Sequence, residues 1–261
     1  MTELQKIIQT SYDKLPNEKK SKPWSFINHG VGLLNTDDEL NCYLAAYGIM
    51  HEEKIRSALS TLTNIEEIFG GKYQVIDWGC GQGLATLCLL DYLKENTKPY
   101  NPKKIILIEP SKPAITKANS YLKASLDINT KLHLVENPID NIVLSDIEIT
   151  EPITINFFSN ILDIVTVNLE KLTSLIKSNL KGEQYFICVG PLNVTSTRID
   201  EFAKLLNFTE EQLIGKENGK LKNTRGTIKL LVFKIKGQEF EIIKSIYYPP
   251  MPRNNNIMHI L

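Results

Sequence analysis

The most restrictive feature of this sequence is a run of alternating glycines that directly follows an apolar segment and an acid. Residues 75–76 are apolar, Asp77 comes next, and an apolar run begins at Leu84. The glycines between them are Gly79, Gly81 and Gly83. Glycine adopts backbone angles that other residues avoid, and it lets a ligand approach the main chain closely. The pattern therefore predicts a buried strand, a tight ligand-binding loop, and a helix whose free N–H groups face the ligand.

The spacing of the glycines separates several kinds of nucleotide site. A dinucleotide fingerprint places its third glycine three residues after the second, where this chain has Leu84. A phosphate-binding P-loop requires a lysine after its last glycine, and Leu84 stands there instead. Asp77 would also repel a diphosphate. The loop therefore favours a ligand with a cationic group, such as an amino-acid ammonium.

The segment Asp77-Trp78-Gly79-Cys80-Gly81-Gln82-Gly83 resembles the first motif of class I S-adenosylmethionine (SAM)-dependent methyltransferases, D-x-G-x-G-x-G. In that family the loop wraps the methionine end of the cofactor. The resemblance therefore implies SAM as the cofactor and assigns cofactor contacts to the residues of this motif. These residues are Asp77, Gly79, Cys80, Gly81 and Gly83.

A second motif lies at the end of a strand predicted over residues 104–108, where Glu109 and Pro110 follow. In Rossmann-like folds, an acid at the end of the second strand accepts hydrogen bonds from ribose hydroxyls. Glu109 lies 32 residues after Asp77, beyond the usual spacing of about 20, and a predicted helix and loop account for the difference. The resemblance assigns Glu109, with Pro110 beside it, to the ribose of SAM. An exposed acid at a strand end is the competing interpretation.

From residue 72 onward, strand patterns alternate with helix patterns, which is typical of a mostly parallel sheet with helices on both faces. Strands are predicted near residues 73–78, 104–108, 131–136, 153–158 and 184–189, and helices near 84–95, 111–125, 160–178 and 196–206. Residues 227–235 and 239–247 are predicted to form a closing β-hairpin, and the resembling family also ends its sheet with an antiparallel pair. We therefore expect an α/β fold, a Rossmann-like doubly wound sheet of about seven strands.

Residues 1–69 carry helix patterns without a strand pattern, with helices predicted over 3–15, 39–50 and 51–69. We expect a helical N-terminal extension, then a SAM-binding domain over residues 70–248 and an irregular tail over 249–261. Tyr43, Tyr47 and His51 recur at every fourth position, which places them on one helical face. Helices before the first strand often cover the cofactor in the resembling family.

The extension is therefore a possible lid, and Tyr47 a possible cofactor contact. Burial of the same face against the sheet is the plainer alternative. His51 could also serve as a general base, because an unperturbed imidazole titrates near neutral pH.

Other candidates lie beyond the carboxyl ends of the later strands, where ligands of a doubly wound sheet bind. Asn137 follows the third strand at the position that contacts adenine in the resembling family, with Asp140 as an alternative, although Asn-Pro also favours a simple turn. Ser159 and Asn160 follow the fourth strand and are expected to face cofactor and substrate, to cap the next helix, or both. Asp163 lies one turn further on and faces either the pocket or solvent.

The composition limits the possible partners and compartments. Basic and acidic residues balance at 30 each, so no global charge directs the chain to nucleic acid or to a membrane. The sequence contains no run of about 18 apolar residues and no apolar signal core near its start. The four cysteines form no C-x-x-C pair, so we predict no metal site and expect reduced thiols in a cytoplasmic protein.

The function implied by the resemblance is methyl transfer from SAM to an acceptor that the sequence does not identify. No catalytic residue is fixed by the motifs, and the oligomeric state is not predicted. Three alternatives stay open: a non-catalytic SAM-binding sensor or partner subunit, aminopropyl transfer from decarboxylated SAM, and a nucleic-acid methyltransferase. The basic residues of segment 216–236 allow the last of these.

Overall fold

The computed structural model describes residues 1–30, 32–96 and 101–239. In this part of the chain the α-helices are α1 (Glu3–Asp13), α2 (Asn17–Lys20), α3 (Asp37–Leu59), α4 (Ile65–Phe69), α5 (Leu84–Asn96), α6 (Lys112–Ser125), α7 (Leu169–Lys177) and α8 (Thr197–Leu205). The strands are β1 (Tyr73–Trp78), β2 (Lys104–Ile108), β3 (Lys131–Val135), β4 (Ile153–Ser159), β5 (Glu183–Gly190), β6 (Leu213–Lys220) and β7 (Thr227–Lys236). A 3₁₀-helix spans Pro23–Gly30.

The strands form one seven-stranded sheet in the order β3-β2-β1-β4-β5-β7-β6. The first five strands pair in parallel, β7 runs antiparallel to β5, and β6 runs antiparallel to β7. The prediction of an α/β, mostly parallel sheet of about seven strands with an antiparallel end is therefore confirmed. The strand order reverses between β1 and β4, so a crevice for a ligand is expected beyond the carboxyl ends of these two strands.

β1 lies in the interior of the sheet and is buried on both faces. All six of its residues are buried, as expected for a central parallel strand covered by helices on both sides. Val75 belongs to the core on one face, and Ile76 belongs to the core on the other. This alternation fixes the register of the strand, because a one-residue shift would exchange the two faces.

The N-terminal extension is helical, as predicted, and it contains no strand among its described residues. The predicted division into two helices near residue 51 is wrong, because α3 continues without a break from Asp37 to Leu59. Its start is fixed by a capping box, in which the Thr36 and Glu39 side chains each accept from the other's backbone N–H. Leu44 of this helix shares a core with Val75 of β1. The domain boundaries at residues 69 and 248 stay predictions.

Two further predicted elements are wrong. The hairpin partner of β7 is β6, which precedes it, whereas the sequence pattern placed the partner at residues 239–247, of which 240–247 lie outside the described residues. β6 is an edge strand with only half-buried and exposed residues, so it lacks the apolar pattern of a strand. The helix predicted over 160–178 begins only at Leu169, where Asn168 caps it, and Asn160 has a left-handed φ of 57° that excludes this residue from a helix. In the described part of the chain, no helix combines the length and apolarity needed to cross a membrane.

Candidate functional site

The glycine loop, residues 79–83, leaves β1 at its carboxyl end and leads directly into α5. Gly79, Gly81 and Gly83 have φ angles of 67°, 52° and 79°, in the left-handed region that favours glycine. A Cβ added to Gly79 would lie 2.8 Å from Ile161, and one added to Gly83 would lie 3.1 Å from Ala118. A Cβ on Gly81 would meet no described atom within 4 Å. The main chain of Gly81 therefore borders an open space that a ligand can enter.

The carboxylate of Glu109 lies directly against this loop. Its Oε2 accepts a hydrogen bond from the Gly81 N–H at 3.0 Å, and its Oε1 accepts one from the Ser111 N–H at 2.9 Å. Glu109 is only 9% exposed. Burial raises the pKa of Glu109, and the hydrogen bonds from Ser111 and Gly81 oppose that rise. The structure thus brings the two sequence motifs into direct contact, and it rules out the interpretation of Glu109 as an exposed acid.

Asp77 is buried beneath the loop and is bonded to the start of α5. Its Oδ2 accepts from the Thr86 hydroxyl at 2.8 Å and from the Thr86 N–H at 3.3 Å. Burial raises the pKa of Asp77 to about 7, the Thr86 hydrogen bonds lower it, and the nearby Glu109 raises it. These contacts show Asp77 anchoring the loop to α5. A direct contact between Asp77 and a cationic ligand stays a prediction.

Two other loop residues attach the loop to its surroundings. The Cys80 N–H donates to the Ile108 carbonyl at 2.9 Å, which extends the contact between β1 and β2 into the loop. Gln82 is buried, and its Nε2 donates to the Leu40 carbonyl of α3 at 3.0 Å. Its Oε1 is buried without a hydrogen-bond partner among the described residues. Gln82 was not among the predicted contacts, although it lies inside the motif.

Pro110 and Asn137 are half-buried at the carboxyl ends of β2 and β3. The Asn137 N–H donates to the Val135 carbonyl at 3.0 Å, so this residue forms a tight turn after β3. Asp140 accepts from the Asn168 N–H at 3.0 Å, and Asn168 in turn caps α7. Asp140 therefore has a structural partner, whereas the adenine contact expected of Asn137 stays a prediction.

Ser159 and Asn160 lie at the carboxyl end of β4, as predicted, but neither caps the following helix. That cap is Asn168, whose side chain accepts from the Lys171 N–H at 3.0 Å. Asn160 instead donates from its Nδ2 to the Ser159 hydroxyl at 3.1 Å, and its Oδ1 accepts from Nζ of Lys54 at 2.8 Å. A side chain of α3 therefore reaches the end of β4.

Lys54 is the main residue that the sequence analysis missed. Its side chain is directed inward, and the residue is only 1% exposed. Burial lowers the pKa of Lys54 to about 8, and the negative charge of Asp163 opposes this effect. Asp163 is also affected by burial, which raises its pKa, and its Oδ1 is buried without a hydrogen-bond partner in the described part of the chain.

The predicted cluster of rings on α3 is present. The ring centroids of Tyr43 and Tyr47 lie 5.4 Å apart, and that of His51 lies 5.6 Å and 6.0 Å from theirs. The pKa of Tyr43 is raised by burial and then by the charges of Glu109, Tyr47 and Asp163, so this ring lies within electrostatic range of both acids. Burial, followed by the charge of Lys54, lowers the pKa of His51 to about 3. A neutral imidazole with so low a pKa is a weak base, which argues against His51 as the general base.

The basic segment 216–236 is partly neutralised by acids. Lys229 is buried and pairs with Asp200 at 2.7 Å, and Lys234 pairs with Glu183 at 3.3 Å. No group of three or more His, Cys, Asp or Glu side chains within the described residues is arranged to hold a metal ion. The four cysteines are free and buried.

Two cavities in the structure lie away from the glycine loop. One, of about 400 Å³, is a groove between α1 and α3, and the other, of about 190 Å³, lies where α5, α6 and the start of α1 meet. Neither is lined by Gly81 or Glu109. We place the candidate site at the loop, because the left-handed glycines, the buried acid and the unpaired polar atoms converge there.

No protein-family model matches this chain, and no curated protein matches it in sequence. Solved structures similar to this chain are found. Magnesium protoporphyrin IX methyltransferase from Synechocystis PCC 6803, with bound SAM, has a TM-score of 0.47 and 11% identity over 89% of this chain and 98% of that chain. Plantazolicin methyltransferase BpumL, in complex with a monoazolic desmethylPZN analog and S-adenosylhomocysteine (SAH), has a TM-score of 0.49 and 13% identity over 89% and 99% of the two chains.

A SAM-dependent methyltransferase from Leishmania major is also similar, with a TM-score of 0.44 and 10% identity over 88% of this chain and 82% of that chain. All three of these proteins are named as methyltransferases, and their sequence identity to this chain is low. The sheet order of this chain by itself establishes an α/β fold with an antiparallel pair at one edge.

We predict that Asp77→Asn stabilises the protein more at high pH than at low pH. Because the pKa of Asp77 rises from an ordinary 3.8 to about 7 on folding, folding favours its protonated form. The stabilisation that the protonated carboxyl contributes is complete below pH 3.8 and is lost as the pH rises through 7. Asparagine keeps an oxygen for Thr86 without the charge. Urea unfolding should show a gain that is about 3–4 kcal/mol larger at pH 8 than at pH 4, whereas equal gains would contradict the assignment.

For Lys54→Met we expect the opposite pH dependence: the stability of the variant relative to the wild-type protein should fall as the pH rises. Folding lowers the pKa of Lys54 from 10.5 to about 8, so the buried ammonium destabilises the protein fully below pH 8. The penalty is relieved between pH 8 and 10.5, where the folded protein loses the proton first. Relative to Lys54→Met, the wild-type protein should gain about 3 kcal/mol of unfolding free energy over this range. If the unfolding free energies of the two proteins changed equally with pH, Lys54 would not titrate in this way.

Proposed function

We propose that this protein is a methyltransferase that binds SAM at the glycine loop. The observation that carries the proposal is the hydrogen bond between the Glu109 carboxylate and the N–H of Gly81. It joins an acid at the end of β2 to a left-handed glycine beside open space. The contact lies at the carboxyl edge of the sheet, next to the point where the strand order reverses, and this is where doubly wound folds bind ligands.

The polar groups around the loop fit SAM. Each oxygen of the Glu109 carboxylate accepts one N–H, and a carboxylate has further lone pairs that can accept hydrogen bonds from ribose hydroxyls. The unpaired, buried Oε1 of Gln82 is an acceptor for the ammonium of the methionine end. Beside Gly81, no side chain fills the space in which a cofactor would contact the main chain.

The bound cofactor would supply an electrophilic methyl group on its sulfonium, and the protein's main task would then be to position the acceptor in line with it. The ring cluster of Tyr43, Tyr47 and His51 is well placed for this task. It lies on α3, which is attached to the loop through Gln82 and to the end of β4 through Asn160. In this proposal the rings exclude water from the methyl group, which is the lid role expected of Tyr47.

The acceptor stays unidentified, but two of the alternatives are less well supported. A nucleic-acid acceptor would draw on the segment 216–236, where Lys229 and Lys234 are already paired with acids. A purely SAM-binding protein would not need a buried lysine beside Asn160. We also propose a cytoplasmic location, which the four free thiols suit, because disulfides are rare in that compartment.

The cofactor proposal predicts selective binding. SAM and SAH should bind the purified protein in calorimetric titrations, and NAD and ATP should bind at least about tenfold more weakly, which corresponds to about 1.4 kcal/mol. The expected reason is that Asp77 and Glu109 lie close to the loop and disfavour a diphosphate. Tight binding of NAD without binding of SAM would contradict the proposed function.

A pair of glycine variants separates ligand binding from backbone strain. Gly81→Ala should lower SAM affinity at least about tenfold, because its methyl group enters the open space beside the loop. Gly182→Ala is the matched control, since Gly182 has a similar φ of 61° but precedes β5 at the opposite edge of the sheet. Both variants should lose about 1–2 kcal/mol of unfolding free energy through left-handed strain, measured by urea denaturation. Equal SAM affinities in the two variants would place the cofactor elsewhere.

A further inference from the structure

We propose that Lys54 is the residue that accepts the proton from the methyl acceptor, and that the acceptor presents a hydroxyl or an amine as its nucleophile. This inference rests on the proposed function and deepens it, because it assigns a catalytic residue and a substrate class to the same site. It is carried by a cluster of three polar side chains, Lys54, Asn160 and Asp163, which we call the β4-end cluster.

The β4-end cluster adjoins the glycine loop. Asn160 directly follows β4, the strand that pairs with β1. The next residue, Ile161, contacts the loop so closely that a Cβ on Gly79 would lie 2.8 Å from its side chain. Because Nζ of Lys54 lies 2.8 Å from Oδ1 of Asn160, the amine lies at the same carboxyl edge of the sheet as the proposed cofactor site.

Lys54 and Asp163 both have hydrogen-bonding groups without a partner among the described residues. Lys54 is 1% exposed and donates to Asn160 alone among the described residues, although a lysine ammonium has three donors. Oδ1 of Asp163 is buried and accepts no hydrogen bond from the described residues. Lys54 and Asp163 influence each other electrostatically, yet no ion pair joins them among the described residues. The lone pair of the neutral Lys54 amine and Oδ1 of Asp163 are both acceptors, so a group that binds between them must carry a proton to donate.

This requirement selects the chemistry of the acceptor. A hydroxyl or a neutral amine can donate to the lone pair of the neutral Lys54 amine, and its own lone pair stays free to attack the methyl group. A carboxylate would leave Asp163 unpaired and would add a second negative charge beside it, and a carbon nucleophile would satisfy neither group. Leaving a buried polar atom unpaired costs about 1–3 kcal/mol. The cluster therefore favours a protic oxygen or nitrogen nucleophile over these two classes.

Lys54 is a basic group of the β4-end cluster whose pKa lies near neutral pH. Its pKa is lowered to about 8 by burial, with Asp163 opposing. The neighbouring His51 is neutral, since burial and the charge of Lys54 lower its pKa to about 3, and burial also keeps Tyr43 protonated. The remaining charge, that of Arg198, faces Asp163 and is held by the carbonyls of Leu162 and Val167 at 2.8 Å and 2.6 Å.

The proposed step conserves atoms and charge. The lone pair of the acceptor's oxygen or nitrogen attacks the methyl carbon, and the electron pair of the breaking carbon–sulfur bond stays on sulfur. The proton of the attacking atom passes to the neutral amine of Lys54, which becomes an ammonium. Asn160 and Asp163 then stabilise that ammonium until the methylated product leaves and the proton returns to solvent.

The first test measures the amine itself and needs no acceptor. Since the acceptor must reach Lys54, a small electrophile must reach it too. Trace labelling of the folded full chain with acetic anhydride at a series of pH values, followed by mass spectrometry of its peptides, should modify Lys54 with a midpoint near pH 8. Labelling should persist when saturating SAH is bound, because the amine lies on the acceptor side. A Lys54 that does not react in the folded, SAH-bound protein overturns the inference.

The second test compares nucleophiles on one ring: benzyl alcohol, benzylamine and benzoate, each with SAM, with SAH formation measured by mass spectrometry. The alcohol or the amine should give SAH above background, with a rate that rises through about pH 8. Lys54→Met should lower this rate roughly a hundredfold or more and remove its pH dependence. Lys229→Met is the matched control, because it removes a buried lysine that pairs with Asp200 instead, and it should keep the wild-type pH profile.

Methylation of benzoate alone, or a wild-type pH profile in Lys54→Met, would overturn the inference. If none of the three compounds is methylated, the labelling result decides. Retained SAH binding by Lys54→Met shows that this variant is folded. A protein that binds no SAM refutes the proposed function, whereas one that binds SAM and SAH but whose Lys54 does not react refutes only the role of Lys54.

Discussion

The contact between Glu109 and the N–H groups of Gly81 and Ser111 determines the shape of the candidate site. A buried carboxylate is strongly destabilising unless hydrogen-bond donors surround it, and here backbone N–H groups supply them. The same bonds satisfy an N–H of a loop whose glycines have left-handed angles. Acid and loop therefore stabilise each other. The hydrogen bond from Cys80 to the carbonyl of Ile108 continues the pairing of β1 with β2 into the loop, so the loop position is set by the sheet register.

The segment that precedes the first strand completes the site. Gln82 of the loop donates to the Leu40 carbonyl, Ser111 donates from its hydroxyl to the Leu34 carbonyl, and Lys54 donates to Asn160. These contacts attach residues 34–54 to the glycine loop, to the end of β2 and to the end of β4. An N-terminal segment that supplied only bulk would not need buried polar contacts at each strand end. Its position is instead specified by hydrogen bonds, which tolerate little displacement.

The sequence predicts those parts of the fold that depend on local sequence patterns. The strand patterns of β1 and β2 are short apolar runs bounded by turn residues, and their predicted ranges agree with the structure. The edge strand β6 could not be found in this way, because its sequence LIGKENGK is solvated and is held by pairing with β7. The late start of α7 goes with two residues that also make long-range contacts: Asn160, which accepts from Lys54, and the cap Asn168, whose N–H donates to Asp140.

The candidate site also contains one part that the sequence predicts and one part that it does not. The glycine loop and Glu109 could be predicted to lie together, because a short motif and a strand end bring them to the same edge of a parallel sheet. Lys54 could not be singled out, since a lysine within a long helix is normally solvated. Its position gave a weak indication, because Lys54 lies three residues after His51 and therefore near the helical face for which burial was one of the two interpretations. Only the packing of α3 shows that its amine is enclosed beside Asn160.

The buried charges among the described residues differ in what surrounds them, and Asp91, for example, accepts from the N–H groups of Glu3 and Leu4 at the start of α1. Glu52 is bonded to Arg56 at 2.8 Å, and Lys229 to Asp200 at 2.7 Å, so each has an ionic partner. Asp77, Glu109 and Lys54 have no ion pair among the described residues, and burial shifts their pKa values toward neutrality. Such shifts oppose folding.

A fold could avoid that cost by placing apolar residues at these positions. Instead, all three charges lie near the carboxyl ends of adjacent strands, at the edge where the strand order reverses. Perturbed groups that converge on one crevice are typical of sites whose chemistry requires them. Glu109 and Lys54 lie outside the glycine motif, so the positions of these two buried charges add a second line of support for the same edge of the sheet.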